Sequence, residues 1–411
     1  MISFKKITAG MLASALISGA VFADNFFTSR FFEIKTDIQL GMSNNVFAFS
    51  DVFQKEIVID LRQIADNMPS NGLNTKFHAN PTSGFKLNIP RIFSLEVMSG
   101  VDVYGNMDIG KSLFDFLGYG NELGEAVSAD VNFYADGFFV ESLGVTVGNK
   151  IKIAVTPSVF APLFHVESDN ANVMVKNSED GKIDMNMNAG LSLYSPLGFV
   201  GGEFNKDSLN VSEFCNGMGF DLGAALTYPV LRNLMITGSV RIPVVPGSIS
   251  YRTSMSYSME MHTSVDEIAN GTEPDFITKS SADDTVKLSG DDIYKINRPL
   301  KAFVSADFRP FGDFFQIFGG IGFGWRNPFL KNGNTDRYMD YLAGVKISLL
   351  DILCASVSTE YTDQIFIHRV GATVNVRLVQ VDFGISSESS DLGKSLKGTG
   401  LGGYVTFYVG F

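Results

Sequence analysis

From Phe93 to Asp108 the chain reads FSLEVMSGVDVYGNMD, and its character changes at nearly every step. Phe93, Leu95, Val97, Val101, Val103 and Met107 fall on one side; Ser94, Glu96, Asp102, Tyr104, Asn106 and Asp108 fall on the other. Successive side chains of a strand point to opposite faces, so this pattern builds a sheet with one apolar and one polar face. The pattern recurs. Ile34, Thr36, Ile38 and Leu40 oppose Glu33, Lys35, Asp37 and Gln39. Val127, Ala129, Val131 and Phe133 oppose Ser128, Asp130, Asn132 and Tyr134. Ile183, Met185, Met187, Ala189, Leu191 and Leu193 oppose Asp184, Asn186, Asn188, Ser192 and Tyr194. Leu300, Ala302, Val304, Ala306 and Phe308 oppose Lys301, Ser305, Asp307 and Arg309. Segments 150–160, 217–228, 233–245, 247–261, 314–325, 339–349, 352–361, 366–376 and 379–387 read as further strands.

The first residues stand apart from this pattern. Lys5 and Lys6 precede an apolar run from Ile7 to Ala20, and Val21-Phe22-Ala23 supplies small residues before Asp24. This is the layout of a secretory signal peptide covering residues 1–23, cleaved between Ala23 and Asp24. Its loss takes the formal charge from −12 to −14. An acidic balance of this size speaks against a nucleic-acid binder. Two cysteines exclude a disulfide scaffold. Beyond the signal no stretch approaches the roughly 18 apolar residues of a spanning helix. An exported chain of strands is then either soluble or a transmembrane β-barrel, which satisfies its own backbone in lipid.

The connections favour the barrel. Short links join strands near Ile89-Pro90-Arg91, Gly148-Asn149, Pro229–Asn233, Pro310–Asp313, Leu350-Asp351 and Arg377-Leu378. Longer polar links lie near 109–125, 161–180, 196–216, 262–297, 326–338 and 388–399. Short turns at one end and long loops at the other is the layout of outer-membrane barrels. The longest link, 262–297, carries eight acidic residues against three lysines and reads as an acidic external loop. A calcium site at its paired aspartates lacks EF-hand spacing.

The chain ends LGGYVTFYVGF. Val405, Phe407, Val409 and Phe411 form one apolar column, with Tyr404 and Tyr408 facing the lumen or capping the interface. A terminal aromatic on an alternating strand resembles the signal that the bacterial barrel assembly machinery engages. The expectation is an all-β, transmembrane, antiparallel barrel over 24–411, with an even count of about 14 strands, within roughly 12–16.

One segment departs from period two. From Ser50 to Met68, Val52, Phe53, Ile57, Leu61, Ile64, Ala65 and Met68 approach helical spacing, with Ser50 or Asp51 as N-cap and Pro69 as terminator. It reads as a helical hatch within 44–72, folded into the lumen or covering an opening; the alternative is a strand at Glu56–Leu61.

Signals for chemistry are sparse. No two of His78, His165, His262 and His368 are three or four residues apart, so no helical metal pair exists. His78 and His368 sit in strand-like contexts. No nucleophile elbow or P-loop occurs. Cys215 and Cys354 fall toward opposite barrel ends, too far apart to bridge. No catalytic, cofactor or metal residue is assigned, and the chain reads as a non-enzyme.

The signal peptide, aromatic C-terminus, glycine-rich strands and N-terminal non-barrel segment together resemble spirochaetal outer-membrane proteins related to the FadL long-chain fatty acid transporters. GMSNNVFAFSDVFQKEIVIDL, Gly41 to Leu61, and GVDVYGNMDIGKSLFDFL, from Gly100, look like a Treponema-type paralogous group. The resemblance implies a 14-stranded barrel with an N-terminal hatch that imports hydrophobic nutrients. Two departures stand out. The Asn-Pro-Ala hatch element of FadL proteins is matched only by Asn80-Pro81-Thr82, later in the chain. Residues 31–41 look like a strand ahead of the helix, where the FadL hatch comes first.

The expected role is passive uptake of a fatty acid or another hydrophobic solute, with Phe160, Phe164 and Phe199 as groove or interface residues. Gly319, Gly320, Gly322 and Gly324 could kink the wall or let a strand coil tightly. A surface adhesin displaying the acidic loop, or a general porin, remain alternatives. Expected partners are outer-membrane lipids, the assembly machinery and a hydrophobic small molecule, with no cofactor and no nucleic acid.

Overall fold

The computed structural model describes residues 30–47, 60–89, 92–122, 124–178, 180–196, 199–200, 203–204, 211–264, 266–267, 270–271, 275–283, 285–330, 335–349, 352–376 and 378–411. The signal segment 1–23, with Ala23 and Asp24, lies outside them, as does most of the expected hatch helix.

The alternating stretches become strands. In chain order they are β1 (Phe32–Asn44), β2 (Leu73–Ile89), β3 (Phe93–Ile109), β4 (Ala126–Val147), β5 (Lys152–Asn177) and β6 (Lys182–Tyr194). Then follow β7 (Phe199–Val200), β8 (Glu203–Phe204), β9 (Gly219–Leu231), β10 (Leu234–Val245), β11 (Gly247–Ile249), β12 (Tyr251–Ser264), β13 (Asp275–Ala282), β14 (Val286–Lys287) and β15 (Tyr294–Ile296). The last are β16 (Leu300–Phe308), β17 (Phe315–Trp325), β18 (Arg337–Leu349), β19 (Leu353–Thr362), β20 (Ile365–Val376), β21 (Val379–Ser389) and β22 (Leu401–Gly410). Two short helices, α1 (Leu61–Asn67) and α2 (Lys111–Tyr119), matter below.

Fourteen strands make a closed antiparallel ring in the order β1-β2-β3-β4-β5-β9-β10-β16-β17-β18-β19-β20-β21-β22. β1 closes on β22, with Glu33 opposite Gly410 and Met42 opposite Leu401. The strand that precedes the helix is thus a wall strand. Closure leaves no ring edge unpaired, which is what lipid demands of a backbone.

The alternation is inside out. On β18, Met339, Tyr341, Val345, Ile347 and Leu349 are exposed, while Tyr338, Asp340 and Ser348 are buried. On β22, Leu401, Phe407 and Val409 point out while Thr406 and Tyr408 are buried, and Tyr404 and Tyr408 line the lumen. A water-soluble sheet would hide its apolar face; this wall displays it, as a bilayer-spanning barrel does. Aromatic rings gather at both rims. Phe32 packs against Phe85 and Phe411 at one end, and Tyr341, Tyr361 and Phe366 cluster at the other. Leu353 to Tyr361 on β19 spans roughly 26 Å along the strand, matching a lipid-facing band of about 25 Å before tilt. The fully described short turns, Gly148-Asn149, Pro229–Asn233 and Pro310–Asp313, lie at the end where Phe32 and Phe411 meet, as the link lengths imply.

Link 161–180 is largely strand, not loop. β5 runs to Asn177 and changes partner on the way: Lys152–Phe160 pairs with β9, and His165–Asn177 pairs with β6. β6 pairs with β12, and β12 with β13, so a sheet rises above the ring on one side. Register shifts between Gly137 and Phe138, and between Ser168 and Asn170, insert extra residues on β5 and reset which side each residue faces. Those bulges hide the period from the sequence. Phe138, Val140, Phe160, Ile249, Tyr294 and Ile296 fill the place where β5 switches partner.

The 262–297 segment also carries structure. β13 extends the raised sheet, and β15 returns to pair with β11, putting Tyr294 and Ile296 in that buried cluster. Its acidic residues Asp266, Glu267, Asp283, Asp291 and Asp292 remain exposed.

Candidate functional site: the lumen

Every second residue of the ring points inward, so the polar half of the alternation builds the lumen. A cavity of about 310 Å³ lies inside the wall. Eight cations line it: Lys35, Lys76, Arg241, Arg298, Lys301, Arg326, Lys346 and Arg369. Its acids are Asp37, Asp102, Glu360, Asp363 and Asp382, and its rings include Tyr104, Tyr134, Phe77, Phe318, Tyr404 and Tyr408. Cations therefore outnumber carboxylates on the lining of this cavity, and the buried carboxylates Asp221, Asp340 and Glu388 stand outside that count.

Buried charge is costly unless paired, and much of this lining is paired. Arg298 donates to the fully buried Asp221 at 2.9 Å and reaches toward Asp102 at 3.5 Å. Asn80 donates to Asp102 at 2.7 Å. Arg369 pairs with Glu360 at 2.9 Å, and Thr406 donates to Asp37. Arg241 differs: its guanidinium donates to the Pro299 carbonyl at 3.0 and 3.2 Å.

Arg326 leaves the end of β17 and sits among three rings, 5.1 Å from Tyr104, 5.5 Å from Tyr134 and 5.7 Å from Tyr338. Lys301 lies 5.7 Å over the Tyr338 ring as well. Cations over ring faces are attracted by the ring quadrupole, most strongly where water is excluded. The two-residue turn between β19 and β20, Asp363-Gln364, bends inward to meet them. Asp363 lies 3.5 Å from Lys301 and 3.7 Å from Arg326. Lys76, from β2, donates to the carbonyls of Asp363 and Gln364 at 3.1 and 3.4 Å.

The expected hatch helix is not continuous. Asp60 is extended, at φ −89° and ψ 97°, so no helix runs through it from Ser50 to Met68. Its carboxylate instead caps α1 by accepting from the N–H groups of Arg62 and Gln63. The β-branched run Ile57-Val58-Ile59 before it disfavours helix; the expected caps Ser50 and Asp51 lie outside the described residues. α1 packs on α2 at the rim opposite the chain ends. Arg62 donates to the Gly118 carbonyl at 3.3 Å, and Tyr119 bonds Asp66. No α1 residue lines the cavity.

The other expected residues find these places. Val405, Phe407, Val409 and Phe411 lie on the last strand and its end, with Phe411 70% exposed. The Phe411 carbonyl accepts from the N–H groups of Phe31 and Phe32. Phe160 is no groove residue: it is fully buried, edge-on to Phe138 at 5.7 Å. Phe164 covers Gly137. The side chain of Phe199 lies outside the described residues. β17 keeps unbroken ladders to β16 and β18 across Gly319, Gly320, Gly322 and Gly324, so the wall does not kink there. Gly320 and Gly322 instead receive the Phe303 ring, and Gly324 the Tyr338 ring.

His78 lines the cavity, its Nδ1 3.8 Å from the buried Glu388. His368 contacts Thr359 and Ser395 at 3.0 and 2.9 Å. His165 Nδ1 lies 2.6 Å from Asp136, and its Nε2 lies 3.0 Å from the Tyr294 hydroxyl. This ties β15 to the wall. On the raised sheet, His262 bonds Asp184 at 2.7 Å, and that bond holds the imidazole pKa above its ordinary value. Cys215 and Cys354 are both free thiols. Among the described residues no group of three metal-ligating side chains gathers.

Wall and lumen together define a transmembrane β-barrel with a charged and aromatic interior. The chain belongs to a family of unknown function, DUF5723, whose model matches residues 32–387. Among curated proteins no sequence matches it. Solved structures similar to it include the toluene transporter TbuX of Ralstonia pickettii, at 9% identity and TM-score 0.47, covering 93% of this chain and 90% of that one. The Pseudomonas putida toluene transporter TodX is 8% identical at TM-score 0.45, covering 98% and 97%. CymD, a monoaromatic hydrocarbon channel, is 9% identical at TM-score 0.43, also covering 98% and 97%.

Proposed function

We propose that the chain is an outer-membrane barrel for passive uptake of long-chain fatty acids or other hydrophobic nutrients that carry an anionic head. The observation that carries this reading is the lumen lining. Cations stand beside ring faces within one cavity, as Arg326 and Lys301 do against Tyr104, Tyr134 and Tyr338. Such a surface suits a molecule with a carboxylate at one end and carbon at the other. The solute enters at the rim carrying α1 and α2, trades water for the cationic mouth, and descends the lumen without an energy source. On this reading residues 1–23 are the export signal, α1 of the 44–72 hatch segment caps the rim with α2, and lipid covers the exposed apolar band. The Val405–Phe411 column addresses the chain to the assembly machinery.

The test is binding of decanoate and oleate to the full-length refolded barrel, alongside conductance in planar bilayers. Saturable binding with little steady conductance is the expected result. No binding of either acid sinks the reading. A second reading, a general pore for small hydrophilic anions, draws on the density of lumen charge. It calls for steady conductance and liposome swelling by small solutes.

A further inference from the structure

We infer that Lys76, Lys301 and Arg326 form a carboxylate-binding site at the lumen mouth, that Asp363 occupies it as a built-in ligand, and that an incoming carboxylate displaces the β19–β20 tip. This rests on the proposed uptake of acids with apolar tails and names the gate they must pass.

Three observations point to it. First, the cations converge from two parts of the ring: Lys76 from β2, and Lys301 and Arg326 from the neighbouring β16 and the end of β17. Lys76 is 7% exposed and Arg326 5%, burial that such side chains rarely accept without a carboxylate. Among the described residues, Asp363 is the acid within ion-pair distance of Lys301 and Arg326.

Second, the fit is loose. At 3.5 and 3.7 Å the contacts exceed the roughly 2.7–2.9 Å of a well-made charge-assisted bond. The Arg326 Nε–H is buried and makes no hydrogen bond. A free carboxylate can approach a guanidinium side-on through two oxygens; Asp363, tethered to a turn, does not. The rings around Arg326 hold its position whether or not Asp363 is present, so the site outlasts the departure of the tip.

Third, the tip is not held by its own turn preference. Asp363 and Gln364 both lie in the left-handed region, at φ 50° and 65°. A two-residue hairpin of this kind favours asparagine or aspartate followed by glycine, and Gln364 stands in the glycine position. The cations that grip Asp363 and the backbone of Gln364 keep the tip inward, and an anion that competes for them releases it.

The experiment uses the full-length refolded barrel and two probes, decanoate and its uncharged methyl ester. In Asp363→Asn, decanoate is expected to bind about tenfold more tightly while the ester is unchanged. The reversal potential of the small residual current, recorded from many inserted barrels across a potassium chloride gradient, shifts toward chloride. Asp363→Glu restores wild-type behaviour. Lys301→Met moves both readouts the opposite way while methyl-ester binding is unchanged, which separates loss of the cation from general misfolding. If wild type binds decanoate and Asp363→Asn does not tighten it, the proposal is overturned. If wild type binds no decanoate, the uptake reading fails by itself and the reversal potential decides: a shift toward chloride sustains the resident-anion site, and no shift removes it.

Discussion

Asp221 shows how much of the lumen rests on single contacts. Its carboxylate is fully buried and its salt-bridge partner is Arg298 at 2.9 Å. Replacing Arg298 with Met leaves that charge without its cation inside the wall. The expected cost is about 3–5 kcal/mol, read as a lowered denaturant midpoint in detergent micelles. Gly322 is critical for the opposite reason. A Cβ there would fall inside the Phe303 ring and press on the Ala302 carbonyl. Gly322→Ala is expected to lose about 1–3 kcal/mol in the same assay. Gly238, whose Cβ would meet nothing within 4 Å, serves as the control. At this scale the sequence was partly readable. The inward phase of Lys35, Asp37, Asp102 and Lys301 follows from alternation alone. That Phe303 lies over two glycines of the next strand does not, because a ring's direction across a ladder depends on register. Arg326 and Asp363 sit just past strand ends, where periodicity says nothing about direction.

Among the elements, the raised sheet is where local physics and sequence part company. Its strands alternate well, as Met185, Met187, Met259 and Met261 testify. β5 nevertheless reaches it through two bulges, each of which flips the phase, so polar residues such as Glu167 and Asp169 read as loop. A single helix from Ser50 to Met68 is interrupted at one residue: Asp60 is extended and N-caps α1. The sheet's outer reach also carries a pH response. His262 and Asp184 join β12 to β6 across the pair His262↔Asp184. The hydrogen bond to Asp184 raises the His262 pKa, so its protonated form is favoured in the folded sheet. The stabilising effect is full below the ordinary histidine pKa and fades as pH rises through the higher folded value. Both side chains are solvent-exposed, so the effect is small. Amide protection along the outer ends of β6 and β12, corrected for the intrinsic base-catalysed exchange rate, should fall as pH rises above the ordinary histidine pKa, and His262→Gln should remove that fall without changing protection in the ring.

For the whole molecule, one closing seam decides whether there is a barrel at all. β1 and β22 are the ends of the chain's strand order, yet they pair over ten residues from Glu33↔Gly410 to Met42↔Leu401. That first and last wall strands meet follows from closure; that the strand ahead of the helix is the first of them, and in this register, does not follow from alternation. Phe411 stands at the foot of this seam with two separable parts. Its backbone continues the ladder, accepting from Phe31 and Phe32 and donating to the Phe32 carbonyl. Its ring points outward, 70% exposed, 6.0 Å from the Phe32 ring. A ring so exposed adds little to packing inside the protein, so a role in assembly and a role in stability separate experimentally. Phe411→Ala keeps the backbone bonds and removes only the ring. It is expected to leave the denaturant midpoint within about 0.5 kcal/mol of wild type. It should also slow insertion into liposomes that contain assembly machinery by several fold, with spontaneous insertion into plain lipid unchanged. Deleting Phe411 takes the ladder bonds too and should lower the midpoint as well. Equal insertion rates for wild type and Phe411→Ala in the machinery-containing liposomes would leave the terminal ring as an interfacial anchor alone.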